Sequence, residues 1–245
     1  MLKKSEESIG SATALRKALS SIRDEKLAEH LQRFFKTKPG QYGYGDIFWG
    51  IRVPNIRTFV KRSSFEATEA VALVQDDIHE VRLAGLLVWK KLFEKAYRRS
   101  SFNVAKQKEI IDLYLENTGF INNWDLVDLS ASLLGIWLLD RDRGLLDKLS
   151  ASPIMWERRI AIVATHTFIK QGQYEDILRL CCQHMSDKED LMHKACGWML
   201  REVGKRDLAV LEQFLEKYKF YLPRTTLRYA IERMSAEKRA YYMQK

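Results

Sequence analysis

The sequence predicts an all-α fold. Only 4 prolines and 12 glycines occur in 245 residues, whereas sheet proteins need many turns, which use both. Apolar residues recur at spacings of three and four, as on one face of a helix, and strict alternation is hard to find. All four prolines stand where helices begin or end.

Taken in order, Pro39 lies in the loop Lys36-Thr37-Lys38-Pro39-Gly40. Pro54 precedes Ile56, Phe59 and Val60 and suits a first helical turn. Leu83, Leu86, Leu87, Trp89, Leu92 and Phe93 trace a broad helical stripe. Ile110, Ile111, Leu113, Tyr114 and Leu115 predict another helix, and Pro153 and Pro223 open two more. The segments HEVRLAGLLVWKKL, WDLVDLSASLLGIW, WERRIAIVATHTFI, LMHKACGWMLREVG and LPRTTLRYAIERM resemble one another. They start at offsets of 45, 32, 35 and 31 residues. Stretches such as Tyr174–Met185 and Leu208–Tyr218 supply partner helices. Helix pairs at this period predict an α-solenoid of HEAT or armadillo type. Small residues such as Ala84, Ala161, Ala195 and Gly197 allow close helix packing. The expected organisation is one helical-repeat domain over residues 1–245, with repeats over 25–234 and residues 1–24 as an added helix.

Composition narrows the function. Hydrophobic residues make up 46% and charged residues 30%, as in a globular protein. The longest nearly apolar run, Leu129–Leu139, has 11 residues, and a membrane span needs about 20. Acids occupy Met1-Leu2-Lys3-Lys4-Ser5-Glu6-Glu7 where a signal peptide has its apolar core, so a cytoplasmic location is expected. Cys181, Cys182 and Cys196 form no CxxC pair, and the five histidines show no metal spacing. Reduced thiols packed in helices are expected, with no metal and no organic cofactor. Net charge is +9. Residues 86–110 carry seven Lys/Arg and two Glu, and residues 201–245 carry eleven bases and six acids, whereas 111–150 carry three bases and seven acids. Localised basic patches point to a polyanion, nucleic acid first.

Three segments could carry chemistry. In Asn122-Asn123-Trp124-Asp125-Leu126-Val127-Asp128, Trp124 and Asp128 are at i and i+4 and share a helical face. Asp128 opens an apolar stretch, and a carboxylate there is costly unless it caps a helix, pairs with a base or serves chemistry. Trp156-Glu157-Arg158-Arg159 is the second segment. In the third, Lys194, Trp198 and Arg201 lie along one face.

These segments resemble the AlkD-like DNA alkylation-repair family, DNA glycosylases built from HEAT-like repeats. The resemblance rests on WDLVD (Trp124, Asp128), WERRIAI (Arg159), KACGWMLRE (Lys194, Trp198, Arg201) and the entry WGIRVPNIR, from Trp49 to Arg57. It implies removal of cationic N3- or N7-alkylated purines from double-stranded DNA, with no cofactor. It implies a catalytic role for Asp128, sugar contacts from Trp124 and Trp198, and a backbone contact from Arg159. Lys194, Arg201 and Arg57 are expected to hold phosphates. The family grips backbone and sugar rather than flipping the base into a pocket. Asn123 departs from the aromatic residue often found there, and Arg16, Lys17 and Arg23 lie in an N-terminal segment without a firm counterpart. Some branches bind unusual DNA structures without catalysis, which is the alternative. A solenoid that buries its own core implies a monomer.

Overall fold

The computed structural model describes residues 8–244. The reading of the leader at Met1–Glu7 lies outside them. The described residues are helical, with two isolated β-bridges, Ile9 to Ser63 and Ile47 to Ile78, and no strand. The all-α expectation holds. No helix among the described residues is long and apolar enough to cross a membrane. The chain divides into two compact units between Ser130 and Ala131.

The first unit contains α1 (Ala12–Ser20), α2 (Glu25–Phe34), α3 (Val53–Arg62), α4 (Val71–Val74), α5 (His79–Tyr97), α6 (Val104–Glu116) and α7 (Trp124–Ser130). Helix α1 lies within residues 1–24, where an added helix is expected. Side chains cap several N-termini: Ser11 accepts from the Ala14 N–H, Asp24 from Leu27 and Asn103 from Lys106, each satisfying an otherwise unpaired donor. Helix α5 is the spine. Leu83, Leu86, Trp89 and Phe93 are fully buried, as their spacing predicts. The Trp89 indole N–H donates to the Ala67 carbonyl at 2.8 Å, so its burial leaves no unpaired donor.

The second unit contains α8 (Ser132–Leu138), α9 (Gly144–Ser150), α10 (Met155–Ala164), α11 (His166–Lys170), α12 (Glu175–Gln183), α13 (Asp190–Gly204), α14 (Leu208–Tyr218), α15 (Arg224–Ala230) and α16 (Ala236–Tyr242). Two segments that periodicity reads as single helices are broken, after Ser130 and at Thr165. At both breaks a hydroxyl bonds back along the helix: Ser130 Oγ to the Leu126 carbonyl and Thr165 Oγ1 to the Ile162 carbonyl, each at 2.6 Å. Such back-bonding competes with the regular ladder and bends helices. Cys181 and Cys196 are buried, and the three cysteines are unbridged, as expected. Burial pushes the Cys181 thiol up.

Helix α13 packs hardest on α15, and Gly197 permits it. A Cβ there would lie 2.5 Å from both the Thr226 carbonyl oxygen and the Tyr229 Cβ. Gly197→Ala is therefore expected to destabilise the protein by about 1–3 kcal/mol, the usual penalty of overpacking. A urea denaturation midpoint unchanged from wild type would contradict this.

Candidate functional site

Helix α7 begins at Trp124, so Asp128 stands in its second turn. This removes the capping reading of Asp128. The residue is half-buried, on the face shared with Trp124. The Trp124 ring lies on Phe35, centroids 5.1 Å apart and planes 24° from parallel. Phe34 meets it edge-on at 5.9 Å. These contacts orient the indole without covering it, since Trp124 is also half-buried.

Beside them lies a buried polar network that the sequence reading missed. His79 Nδ1 donates to Asp46 Oδ2 at 3.0 Å, and Nε2 donates to Asp125 Oδ2 at 2.9 Å. The side chains of His79 and Asp46 are each 2% exposed. Two carboxylates, acceptors only, require hydrogens on both ring nitrogens, hence an imidazolium. Asp46 also accepts from the Arg82 guanidinium and from Asn123 Nδ2. Arg82 further binds the Asp76 and Asp77 carbonyls and Asn122 Oδ1. Asn123 Oδ1 accepts the Trp124 N–H. Asn123 thus joins Asp46 to the start of α7 through the donor and the acceptor of one short side chain. The neighbouring Glu80 accepts the N–H groups of Trp49, Gly50 and Ile51 at 3.0, 2.8 and 3.0 Å. The segment from Trp49 to Arg57 is thereby tied to α5, and Arg57 is exposed on α3. Arg16 and Arg23, which lacked a counterpart, stand 5.1 and 3.9 Å from the Trp49 ring. One signal for this network was available: His79, Glu80 and Arg82 open the most deeply buried helix of the first unit, where polar residues need partners.

In the second unit, Arg159 on α10 is only 5% exposed, and its Nη1 donates to the Leu191 carbonyl at 2.6 Å. On α13, Lys194 pairs with Asp190 at 2.8 Å and keeps 38% of its side chain exposed. Arg201 pairs with Glu232. Trp198 is half-buried, 6.1 Å from the His166 ring. The structure therefore brings Trp124 and Asp128 together on α7, and Lys194, Trp198 and Arg201 on α13. It commits Arg159 and Arg201 to partners within the fold, and leaves Arg57 and Lys194 as the more exposed of the four expected cations.

The network makes stability depend on pH. Burial lowers the His79 pKa, but the Asp125 charge and the hydrogen bonds to Asp125 and Asp46 outweigh it and raise it from 6.5 to about 9. Burial raises Asp46, but the His79 hydrogen bond and the His79 and Arg82 charges outweigh it and lower it. The His79 contribution, at most about 3 kcal/mol, is full below its unfolded pKa and is lost as pH rises from there to about 9. Wild type is expected to exceed His79→Gln in stability more at pH 6 than at pH 9. Denaturant unfolding at both values checks this, and an unchanged gap would refute it.

The model of the DNA alkylation repair enzyme family matches residues 15–234. No curated protein matches the chain. Among solved structures, the fold is similar to a predicted DNA alkylation repair enzyme from Enterococcus faecalis, with TM-score 0.64 and 15% identity over 87% of this chain and 97% of that one. It is also similar to AlkD2 from Streptococcus mutans, with TM-score 0.56 and 16% identity over 92% and 98% of the two chains. For smu.31 from Streptococcus mutans UA159 the values are 0.54 and 16%, over 91% and 96%. With the family matched across most of its length, the chain belongs to the DNA alkylation repair enzyme family.

Proposed function

We propose that the protein is a monofunctional DNA glycosylase that excises cationic N3- or N7-alkylated purines from double-stranded DNA. The observation that carries this reading is a half-exposed carboxylate, Asp128, beside Trp124 on a helix anchored by buried charges, in a chain of the alkylation-repair family.

Alkylation at N3 or N7 places a positive charge on the purine, which then leaves without protonation, so no strong general acid is required. Its departure leaves an oxocarbenium-like sugar. Asp128 stabilises that developing cation, a contribution of about 3–4 kcal/mol when the charge is preorganised, and orients the attacking water. The negatively polarised face of Trp124 attracts the same cation, and Trp198 on α13 offers such a face in the second unit. Arg57, Arg159, Lys194 and Arg201 serve the DNA backbone. Arg57 and Lys194 contact phosphates, while Arg159 and Arg201 hold α10 and α13 in place. Phosphate contacts set register without reading sequence. The protein acts as a monomer in this reading.

Asp128→Asn should lower single-turnover release of N7-methylguanine or N3-methyladenine from duplex DNA by about 10²–10³-fold, the usual loss for a preorganised electrostatic group, while duplex affinity is kept. Excision at the wild-type rate would remove the assignment. Duplex binding by wild type without any release would favour the non-catalytic reading, a binder of unusual DNA structures. Arg57→Ala and Lys194→Ala should each weaken duplex binding across sequences and reduce the salt dependence by about one counterion. A slope of log affinity against log salt equal to that of wild type would exclude the residue from phosphate contact.

A further inference from the structure

The loop between α14 and α15 holds two aromatic side chains out in water. Phe220 and Tyr221 are each 71% exposed, the most exposed of the large hydrophobic side chains among the described residues. Folding gains nothing from apolar rings left in water. One exposed ring is ordinary, but neighbouring ones mark a contact surface. The loop is fastened on both sides of the pair. The N–H groups of Tyr221 and Leu222 both donate to the Tyr218 carbonyl, at 2.9 and 3.1 Å, and Leu222 is buried. Lys219 ties the loop to α16. Its ammonium donates to Tyr241 Oη at 3.0 Å and to Glu216 Oε2 at 3.1 Å. It also stands 5.4 Å from the Phe220 ring and 4.1 Å from the Tyr241 ring. Tyr241 is itself 45% exposed, so one ammonium gathers two exposed rings, with Tyr221 next in the chain.

The charge around these rings identifies the class of partner. Residues 216–245 carry eight Lys/Arg and three acids. Lys217, Arg224 and Arg228 are exposed. Arg224 and Arg228 share a face of α15 at i and i+4. Their hydrogen bonds go to the carbonyls of Met243 and Arg224, and a neutral carbonyl leaves the charge of a guanidinium uncancelled. Exposed rings beside such cations match a chain of bases and phosphates, because rings stack on bases of any sequence while cations follow the backbone. A duplex offers its phosphates but keeps the faces of its bases stacked on one another. The rings therefore select a strand whose bases are unpaired.

We propose that this surface of the second unit binds single-stranded DNA, with Phe220 and Tyr221 stacking on bases and Arg224 and Arg228 meeting phosphates. DNA is favoured over an acidic protein because flat exposed rings have flat partners in the bases, and because the chain belongs to a family of DNA repair enzymes. A gap, a frayed end or a branch in a damaged duplex offers such a strand. The inference goes beyond the glycosylase reading and needs neither Asp128 nor excision.

The test is fluorescence anisotropy of the full-length protein with a labelled oligothymidylate, which cannot pair with itself, and with a blunt duplex of mixed sequence. Combining Phe220→Ala with Tyr221→Ala should weaken oligothymidylate binding by about 5–150-fold, the loss of one stacked base, and leave duplex affinity unchanged. Combining Phe220→Tyr with Tyr221→Phe keeps both rings and should keep the affinity. These side chains are exposed, so the variants should fold, as thermal melting will show. Arg224→Ala and Arg228→Ala should each reduce the slope of log affinity against log salt for the oligothymidylate by about 0.7. No binding of oligothymidylate by wild type, wild-type affinity in the double alanine variant, or an equal loss on the duplex would overturn the proposal. Displacement of the oligothymidylate by an oligoglutamate of equal length and concentration would also overturn it, in favour of an acidic protein partner. Excision is not read in this assay. Failure to release alkylated bases therefore removes the glycosylase reading alone, and failure of the rings to favour the single strand removes this inference alone.

Discussion

His79 held between Asp46 and Asp125 is the interaction on which the first unit depends. Removing an ion from water is expensive, and a buried ion persists only where partners surround it. Here one imidazolium joins two carboxylates, and Arg82 supplies the second positive charge. The network reaches from Asp46, in the segment between α2 and α3, through α5 to α7. Truncating a charged member takes one partner from a charge that stays buried. Such networks add little net stability over an apolar core of equal volume, so their value lies in the single arrangement they permit. In this chain that arrangement sets the position of α7, and with it Trp124 and Asp128.

The same economy governs Glu80 and the second unit. Glu80 gathers three successive backbone N–H groups and so shapes the turn into α3. Each of those donors, left unpaired in the interior, would be destabilising by about 1–3 kcal/mol. Arg159 ties α10 to α13 through the Leu191 carbonyl, and Arg201 ties α13 to Glu232. Arg159 and Arg201 thus hold elements of the fold together, whereas Arg57 is exposed on α3 and Lys194 pairs with Asp190 on its own helix.

Much of the fold was legible because helices report themselves locally. The stripe from Leu83 to Phe93 became the buried face of α5, Pro54 entered the first turn of α3, and the stretch Leu208–Tyr218 is α14. The breaks after Ser130 and at Thr165 were not legible. A hydroxyl that turns back onto its own helix looks, in sequence, like one that faces solvent. Of the candidate site, the pairing of Trp124 with Asp128 on one face followed from spacing alone. The role of Asn123 did not, because its partner Asp46 is 77 residues away.

By itself, then, the sequence determined the helical class, the faces that carry Trp124, Asp128, Lys194, Trp198 and Arg201, and the family resemblance that those motifs carry. These follow from spacings of a few residues, which the helical repeat converts directly into shared faces. Only the tertiary structure decided that His79 carries a charge and that Arg159 and Arg201 are engaged within the fold. Those properties depend on contacts between residues 30 or more positions apart. The protonation of a buried imidazole is set by which carboxylates the fold brings to it, and no local pattern encodes that meeting.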